Sequence, residues 1–301
     1  MKKIRIQTAV GVAALVSFFG LTSHAQTPFY SVNGLGGTGS GTAGVTLTPS
    51  TSPAGSSSLT DLGGTTQFSF GTGPTGVAGE SIVNGVTGQA GSGVLAGTMG
   101  ASSSLTSFTL TLWLNMSAAT PNNYRLFEIS PGSPPTGSTG DGTQLFFGLN
   151  SGGGLQAYVN NVNGNSTATD IATANTWNNG GTLGAVTPNK WYFVALTYDI
   201  ASGSSQLYSG DQTSSATLSY TYNNTSGGAL DLSSPTSIAL LDRFSNSRNF
   251  PGAIDDVNLY SGALNQSQID AIQAIPEPDI SAMMAMGSIL GLVAIIRRRR
   301  S

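Results

Sequence analysis

The segment FPGAIDDVNLY at residues 250–260 contains a predicted strand over residues 254–260. Successive side chains of a strand point to opposite faces, so Asp255 is expected to share a face with Val257 and Leu259. If the two apolar residues face the core, Asp255 also points toward the core and lies at its edge. A carboxylate at such a position needs partners, because burying an unpaired charge is costly.

Short β-rich runs separated by Gly, Asn, Ser and Pro extend across most of the remaining chain. Many short strands with turn signals between them are typical of an antiparallel sandwich or barrel. No amphipathic helical window separates the runs, which argues against a parallel α/β sheet. The sequence therefore predicts an all-β fold with strands at 66–70, 108–115, 124–129, 144–149, 155–160, 191–199, 205–209, 216–222, 237–241 and 254–260.

One short helix is predicted at residues 265–273, just before the C-terminal tail. Asn265 is placed as the N-cap and Gln268 at the third helical position, which together form a capping box. Leu264 and Ile269 flank this turn at the spacing of a hydrophobic staple. We therefore expect this helix to close the domain.

Charge is scarce, with 11 basic and 14 acidic residues among 301, no cysteine and one histidine, His24. Seven of the bases lie at the two chain ends, so residues 26–275 carry twelve acids, four bases and a net charge of −8. This composition excludes Ser-His-Asp and Cys-His catalysis, His/Cys zinc sites and disulfides from that body. Four scattered bases also argue against nucleic acid as a partner, because binding it requires clustered Lys and Arg.

Residues 1–25 have the composition of a secretory signal peptide. Three basic residues within the first five precede an apolar run at 9–21. Small side chains stand at the −3 and −1 positions of a cleavage site between Ala25 and Gln26. The alternative is an uncleaved N-terminal membrane anchor, for which the run is short.

The last 26 residues, 276–301, combine three features in a fixed order: Pro276-Glu277-Pro278, an apolar stretch at 280–296, and Arg297-Arg298-Arg299-Arg300. A helix over 280–296 would be about 25 Å long, enough for a thin bilayer, with the arginines on the cytoplasmic side. The arrangement resembles the PEP-CTERM sorting signal of Gram-negative bacteria. That resemblance implies an exosortase-type processing enzyme as partner, transient anchoring in the inner membrane, and delivery to the cell surface or extracellular matrix. A plain single-span anchor is the alternative.

Three segments of the body resemble the LamG-like jelly-roll family of the concanavalin A-like lectin/glucanase fold. They are SFTLTLWL at 107–114, KWYFVALTYD at 190–199 and FPGAIDDVNLYSGAL at 250–264. The resemblance covers residues from about 105 to 274 and implies a two-sheet antiparallel jelly-roll sandwich. The expected organisation is a signal helix at 1–25, this domain at 26–275 and a tail with a transmembrane helix at 276–301. The Gly/Ser/Thr-rich stretch 26–64 reads partly as a mobile linker.

The resemblance also suggests a cofactor. In similar folds an Asp on the terminal strand joins backbone carbonyls around a structural Ca²⁺, and oxygen donors suit this hard cation. Asp255 is the candidate ligand here, and Glu80 is a conceivable second one. The alternatives are hydrogen bonds from loop N–H groups to Asp255, or its pairing with Arg243 or Arg248.

A carbohydrate site needs an accessible aromatic ring beside polar side chains. Trp177 lies in a predicted loop next to Asn178 and Asn179, which makes these residues the candidate sugar platform. The alternative is that Trp177 covers the sandwich edge. Trp113 and Trp191 lie within predicted strands and are expected in the core.

We therefore predict an exported, non-catalytic surface or matrix protein that binds carbohydrate, such as a polysaccharide, or another envelope component. A structural constituent of an extracellular polymer without a discrete ligand is the first alternative. A glycoside hydrolase is the second, and it requires two carboxylates at a defined spacing. The body has only two glutamates, Glu80 and Glu128, and they occur in unrelated contexts.

Overall fold

The computed structural model gives the fold in twelve stretches of the chain. It describes residues 26–34, 37–38, 45–62, 68–85, 94–117, 124–131, 144–149, 155–159, 169–173, 187–223, 228–244 and 248–274. The predicted signal peptide and sorting tail lie outside these residues, and Gln26, the residue after the predicted cleavage site, is exposed. No helix within the described stretches has the length and apolarity needed to cross a membrane.

In the described part of the chain, eight strands form the first sheet. In spatial order they are β15 (Ser214–Asn223), β14 (Ser204–Asp211), β13 (Trp191–Asp199), β8 (Ser107–Met116), β17 (Gly252–Ser261), β6 (Ala78–Asn84) and β5 (Phe68–Thr72), with β1 (Tyr30–Val32) also paired to β17.

The second sheet contains nine strands within the same described residues. Their order is β12 (Thr169–Thr173), β11 (Leu155–Val159), β10 (Leu145–Leu149), β9 (Tyr124–Pro131), β16 (Thr236–Leu240), β7 (Leu95–Met99), β4 (Leu59–Asp61), β3 (Thr46–Leu47) and β2 (Gly37–Thr38). The strands of each sheet pair antiparallel, from β8 with β13 to β9 with β10. The prediction of an all-β, two-sheet antiparallel sandwich is confirmed.

The main core lies between the sheets and follows from strand alternation. On β8, Leu110, Leu112 and Leu114 point inward, and all three are fully buried. Ile129 and Phe147 of the second sheet belong to the same cluster. Burying a side chain of this size contributes about 1.5–3 kcal/mol, so this layer supplies most of the driving force for the fold.

A second apolar layer covers the outer face of the first sheet. Trp113, Trp191 and Phe193 form it, together with Ile269 of the helix α1 (Gln266–Ala274). The predicted burial of both tryptophans is confirmed, at 8% and 7% exposure, but they lie beneath α1 rather than between the sheets. This layer explains why β13 is buried on both faces.

The predicted capping box at the start of α1 is confirmed. The Asn265 side chain accepts a hydrogen bond from the Gln268 N–H at 3.0 Å, and the Gln268 side chain accepts one from the Asn265 N–H at 3.0 Å. Leu264 and Ile269 are both buried, as the staple requires. Helix α1 therefore packs on the first sheet in a fixed orientation.

A β-bulge corrects the predicted face of Asp255. The pairing of β17 with β8 shifts between Asp255 and Asn258, and Asp256 adopts a positive φ of 46°. The extra residue puts Ile254, rather than Asp255, on the core face with Val257. Asp255 lies opposite Trp113, on the outer side of the sheet.

The sequence pattern missed several strands of the described structure, among them β6 and β7. Both contain Gly and small or polar residues, such as Gly79 and Gly97, that weaken a strand signal. The Gly/Ser/Thr-rich stretch 26–64 also contributes more than its composition suggests, since Val32, Leu47 and Leu59 are fully buried in the main core. Tertiary contacts outweigh local propensity in these segments.

Replacing Asn265 with Ala should destabilise the domain by about 1 kcal/mol, because the helix loses its N-cap acceptor. In a domain of this size that loss lowers the melting temperature by about 2–4 °C. The control is Asn265→Ser, which retains an acceptor oxygen and should stay close to the parent in a thermal melt. Equal melting temperatures for the parent and Asn265→Ala would contradict the assigned cap.

Candidate functional site

Two carboxylates that are 175 positions apart in the sequence meet beside one glycine. Glu80 lies on β6 and Asp255 on the adjacent strand β17. A Cβ placed on Gly73 would lie 2.2 Å from Glu80 Oε2 and 2.5 Å from Asp255 Oδ2, so the two oxygens are within about 4.7 Å of each other. Both residues are fully buried. The structure thus brings together the two residues that the sequence suggested as metal ligands.

Local hydrogen bonds satisfy part of this carboxylate pair. Thr75 Oγ1 donates to Glu80 Oε2 at 2.6 Å, and the Asp256 N–H donates to Asp255 Oδ1 at 2.8 Å. Glu80 Oε1 is buried and has no hydrogen-bond partner among the described residues. The Asp256 N–H that bonds to Asp255 belongs to the adjacent residue of β17. The backbone N–H groups of Arg243 and Arg248 both donate to Asp242.

The pair fits a cation electrostatically. Two like charges at this separation oppose each other, and a bound cation would relieve the repulsion. The donors are carboxylate oxygens, which Ca²⁺ prefers. Within the described stretches no group of three or more His, Cys, Asp or Glu side chains converges.

A cavity of about 530 Å³ opens on the outer face of the first sheet. Its walls are the turn at 73–77, the β14–β15 hairpin at 211–215 and the end of α1, with Trp113 and Asp256 also lining it. Trp113 is held edge-on against Phe193, with ring centroids 5.3 Å apart. The cavity therefore combines one rigid indole with hydroxyl, amide and carboxylate groups.

Turn geometry and one salt bridge fix the hairpin wall of the cavity. Lys190 Nζ contacts Asp211 Oδ2 at 2.7 Å, and the N–H groups of Thr213 and Ser214 donate to Asp211 Oδ1. The hydrogen bond from Lys190 holds the pKa of Asp211 well below its usual range. On the opposite wall, Asp270 accepts a hydrogen bond from Gln266 at 2.7 Å.

The 73–77 turn connects the cavity with the carboxylate pair. Pro74 and Thr75 line the cavity, while Thr75 also donates to Glu80. Gln212 Nε2 donates to the Pro74 carbonyl and so joins the turn to the hairpin. Sequence reasoning missed this role of Thr75 and Gln212, because the turn and the hairpin are far apart in the chain and neither has a recognisable motif.

A separate polar cluster lies on the second sheet. The Arg125 guanidinium lies 3.5 Å from the centre of the Phe146 ring, and burial lowers its pKa to about 10. Burial raises the pKa of Asp242 to about 7, and the nearby Glu128 adds to the shift. Asp242 Oδ1 accepts two backbone N–H groups at 2.7 Å, those of Arg243 and Arg248. We interpret the cluster as structural, because these contacts fix the loop after β16.

Several predicted functional residues fall outside the described residues. They are the sugar platform Trp177, Asn178 and Asn179, the residue Ala25 before the cleavage site, and the sorting signal Pro276, Glu277, Pro278, Arg297, Arg298, Arg299 and Arg300. These assignments remain predictions.

Comparison with known proteins gives one family and several distant structures. The family model Laminin_G_3, described as concanavalin A-like lectin/glucanases superfamily, matches residues 87–270. No curated protein sequence matches the chain.

Three solved structures illustrate the distant likenesses. Domain 4 of AbnA, a GH43 extracellular arabinanase from Geobacillus stearothermophilus in complex with arabinotriose, is 16% identical with a TM-score of 0.44, covering 68% of this chain and 80% of that one. The CBM40 of the Ruminococcus gnavus IT-sialidase, bound to α2,3-sialyllactose, is 17% identical with a TM-score of 0.40, covering 57% and 84%. A SAP-like pentraxin from Limulus polyphemus is 14% identical with a TM-score of 0.39, covering 59% and 74%. At these identities the ligands of those proteins do not carry over to this chain.

Proposed function

This chain belongs to the Laminin_G_3 family of the concanavalin A-like lectin/glucanases superfamily, and from this premise we propose that it is an exported, non-catalytic surface or matrix protein that binds carbohydrate. The proposed partner is a polysaccharide, and another envelope component is the alternative.

The observation that carries the proposal is the cavity beside Trp113. Its volume of about 530 Å³ lies within the range of small-ligand sites. Sugars present apolar C–H faces and hydroxyl groups. The exposed 8% of Trp113 offers an apolar edge to such a face, and side chains such as Thr75 and Gln273 can bond to the hydroxyl groups. The predicted platform at Trp177 is a second location for the same function.

Two alternative functions differ in what they require. A structural constituent of an extracellular polymer needs no cavity for a discrete ligand. A glycoside hydrolase needs two carboxylates that reach the same sugar from an open groove. Glu80 and Glu128 belong to different sheets, and the Glu80–Asp255 pair is fully buried, so neither pair meets this requirement. Asp211, Asp256 and Asp270 line the cavity, and Asp211 is held there in an ion pair with Lys190.

Calcium is the proposed structural cofactor. Glu80 and Asp255 would hold the ion, and the unpartnered buried Glu80 Oε1 is the oxygen that most needs it. When bound, Ca²⁺ would supply positive charge that neutralises the carboxylate pair. Because Thr75 bonds to Glu80 and lines the cavity, the same contacts would hold the 73–77 turn in place.

Export and sorting complete the proposal. Cleavage after Ala25 would release the N-terminus, and the tail from Pro276 to Arg300 would serve an exosortase-type enzyme at the inner membrane. The charge-poor body supports an extracellular role, since Ser, Thr, Asn and Gly rather than ions provide its polarity.

Replacing Trp113 with Ala should weaken binding of the best glycan on a carbohydrate array by at least about tenfold, which corresponds to about 1.4 kcal/mol. The matched control is Trp191→Ala, which disturbs the same apolar layer without lining the cavity. Trp177→Ala tests the alternative sugar platform. If Trp113→Ala unfolds, Trp113→Phe replaces it as the test variant. Calorimetry then measures each affinity. Absence of glycan binding by the parent, with and without Ca²⁺, would overturn the carbohydrate function.

Adding Ca²⁺ to chelator-treated protein should raise the melting temperature. At 100 times the dissociation constant the ion stabilises by about 2.7 kcal/mol, which corresponds to about 5–10 °C. Glu80→Gln and Asp255→Asn should abolish the increase, whereas Asp231→Asn, a carboxylate variant at an exposed turn, should retain it. An unchanged melting temperature and no calorimetric signal for the parent would rule out calcium.

Protein recovered from outside the cells should begin at Gln26 and lack the tail, as intact-mass spectrometry can check. Replacing the four arginines Arg297 to Arg300 with Gln should leave the tail attached and the protein in the membrane fraction, since the signal loses its cytoplasmic anchor. A surface protein that still carries residues 276–301 would favour the plain membrane anchor.

A further inference from the structure

The lining of the cavity beside Trp113 is acidic. Asp211, Asp256 and Asp270 contribute to it, and among the described residues no Lys or Arg side chain does. Lys190 lies next to the cavity, in the ion pair with Asp211. With three acids against this one neighbouring base, the walls carry a net negative charge, which a cleft with low-dielectric walls concentrates.

The other bases of the body lie at the second sheet. Between residues 26 and 275 the sequence contains only Lys190 and three arginines. Arg125 is on β9, and its backbone N–H donates to the Arg248 carbonyl at 2.9 Å. Arg243 follows β16 of the same sheet. None of the three arginines lines the cavity, so a ligand there meets the acids without a competing cation on the walls.

The hydroxyl donors of three residues in the lining are committed to the protein itself. Thr75 Oγ1 donates to Glu80 Oε2 at 2.6 Å. Thr213 Oγ1 and Ser214 Oγ donate to Asp211 Oδ1 at 2.7 Å and 2.9 Å. A hydroxyl group has one hydrogen and two lone pairs. Each of these groups can therefore only accept a hydrogen bond from a ligand while its own contact is kept.

The two glutamine amides of the lining are committed in the same way. Gln212 Nε2 donates to the Pro74 carbonyl. Gln273 Nε2 donates to the carbonyls of Asp211 and Ser214, both at 2.9 Å. An amide nitrogen carries two hydrogens, so both hydrogens of Gln273 are in use. The walls therefore offer a ligand mainly acceptor oxygens and negative charge.

An organic ammonium group matches these walls better than a metal ion or an anion does. Within the described residues no three acidic side chains converge in a way that could hold a metal. An ammonium group brings a positive charge, three N–H donors and no acceptor, and an indole such as that of Trp113 attracts cations. A sugar carboxylate or sulfate would be repelled by the acids. An N-acetyl group would replace the charge with a further acceptor.

We propose that the cavity selects amino sugars with a free ammonium group, so that the polysaccharide it binds contains de-N-acetylated units such as glucosamine. Asp270 of α1 and Asp256 at the bulge of β17 are the carboxylates placed to accept from the ammonium group. The exposed edge of Trp113 borders the sugar ring. This inference rests on the proposed carbohydrate function and narrows its ligand class.

Calorimetry with short oligomers tests this selection. A glucosamine trimer and the corresponding N-acetylglucosamine trimer differ only in their acetyl groups. At about pH 6, where amines of this type are protonated, the full-length protein should bind the glucosamine trimer at least about tenfold more tightly, which corresponds to about 1.4 kcal/mol. Added salt should reduce this preference, because it screens charge. The salt series needs no variant and so does not depend on one folding.

Two isosteric variants test the carboxylates. Asp270→Asn and Asp256→Asn should each lower the preference for the glucosamine trimer at least about threefold, because a charged acceptor is lost. The first keeps an acceptor for Gln266, and the second places Asn at a positive φ that this residue tolerates. The matched control is Asp231→Asn, at a turn outside the cavity, which should keep the preference of the parent. A thermal melt checks that each variant folds.

The outcomes separate this inference from the function on which it rests. Equal affinity for the two trimers, a preference for the N-acetylated one, or a preference unaffected by both variants would overturn the ammonium selection and leave carbohydrate binding intact. Absence of binding to every glycan on the array would overturn the carbohydrate function itself. A lysine peptide that displaces the glucosamine trimer with equal affinity would show recognition of ammonium groups in general and overturn the assignment to amino sugars.

Discussion

The bulge in β17 is the local constraint on which both candidate sites depend. Along the ladder with β8, one extra residue enters between Asp255 and Asn258, and Asp256 takes a left-handed conformation. The bulge places Asp255 beside Gly73 and Glu80, and it leaves Asp256 at the wall of the cavity that Trp113 lines. Regular pairing would have put Asp255 on the core face with Val257. Bulges commonly re-aim side chains next to functional sites in this way.

In this domain, hydrogen bonds from neutral polar side chains hold helix ends, strands and loops in place. Asn265 and Gln268 cap α1. The side chains of Gln266 and Gln273 bond to the backbone of β15 at Ala216. Gln212 joins the hairpin to the 73–77 turn. Amide groups can donate and accept at once, so a chain with few charges can still satisfy its loops. Such contacts are also insensitive to salt, in contrast to surface ion pairs, which suits the proposed extracellular setting.

The sequence predicted the regular parts of this structure well. Strand β13 agrees with the predicted run at both ends, and α1 differs from its prediction by one residue, because alternation and capping are local signals. Strands β6 and β7 were missed, since Gly and polar residues hide them. Both members of the carboxylate pair were candidate ligands in the sequence, but their proximity could not be predicted. Only the pairing of β6 with β17 brings Glu80 to Asp255. The cavity had no sequence signal, as its walls come from four separate segments.

By itself, the sequence determined the fold class and the low content of charged residues. It also determined the absence of cysteine-based or histidine-based chemistry from residues 26–275. These follow from residue types and periodicity, which act over a few neighbours along the chain. The tertiary structure alone decided which carboxylates meet and where an indole borders a cavity. Those properties depend on strand order and register, and the pairing of segments that lie far apart in the chain sets both.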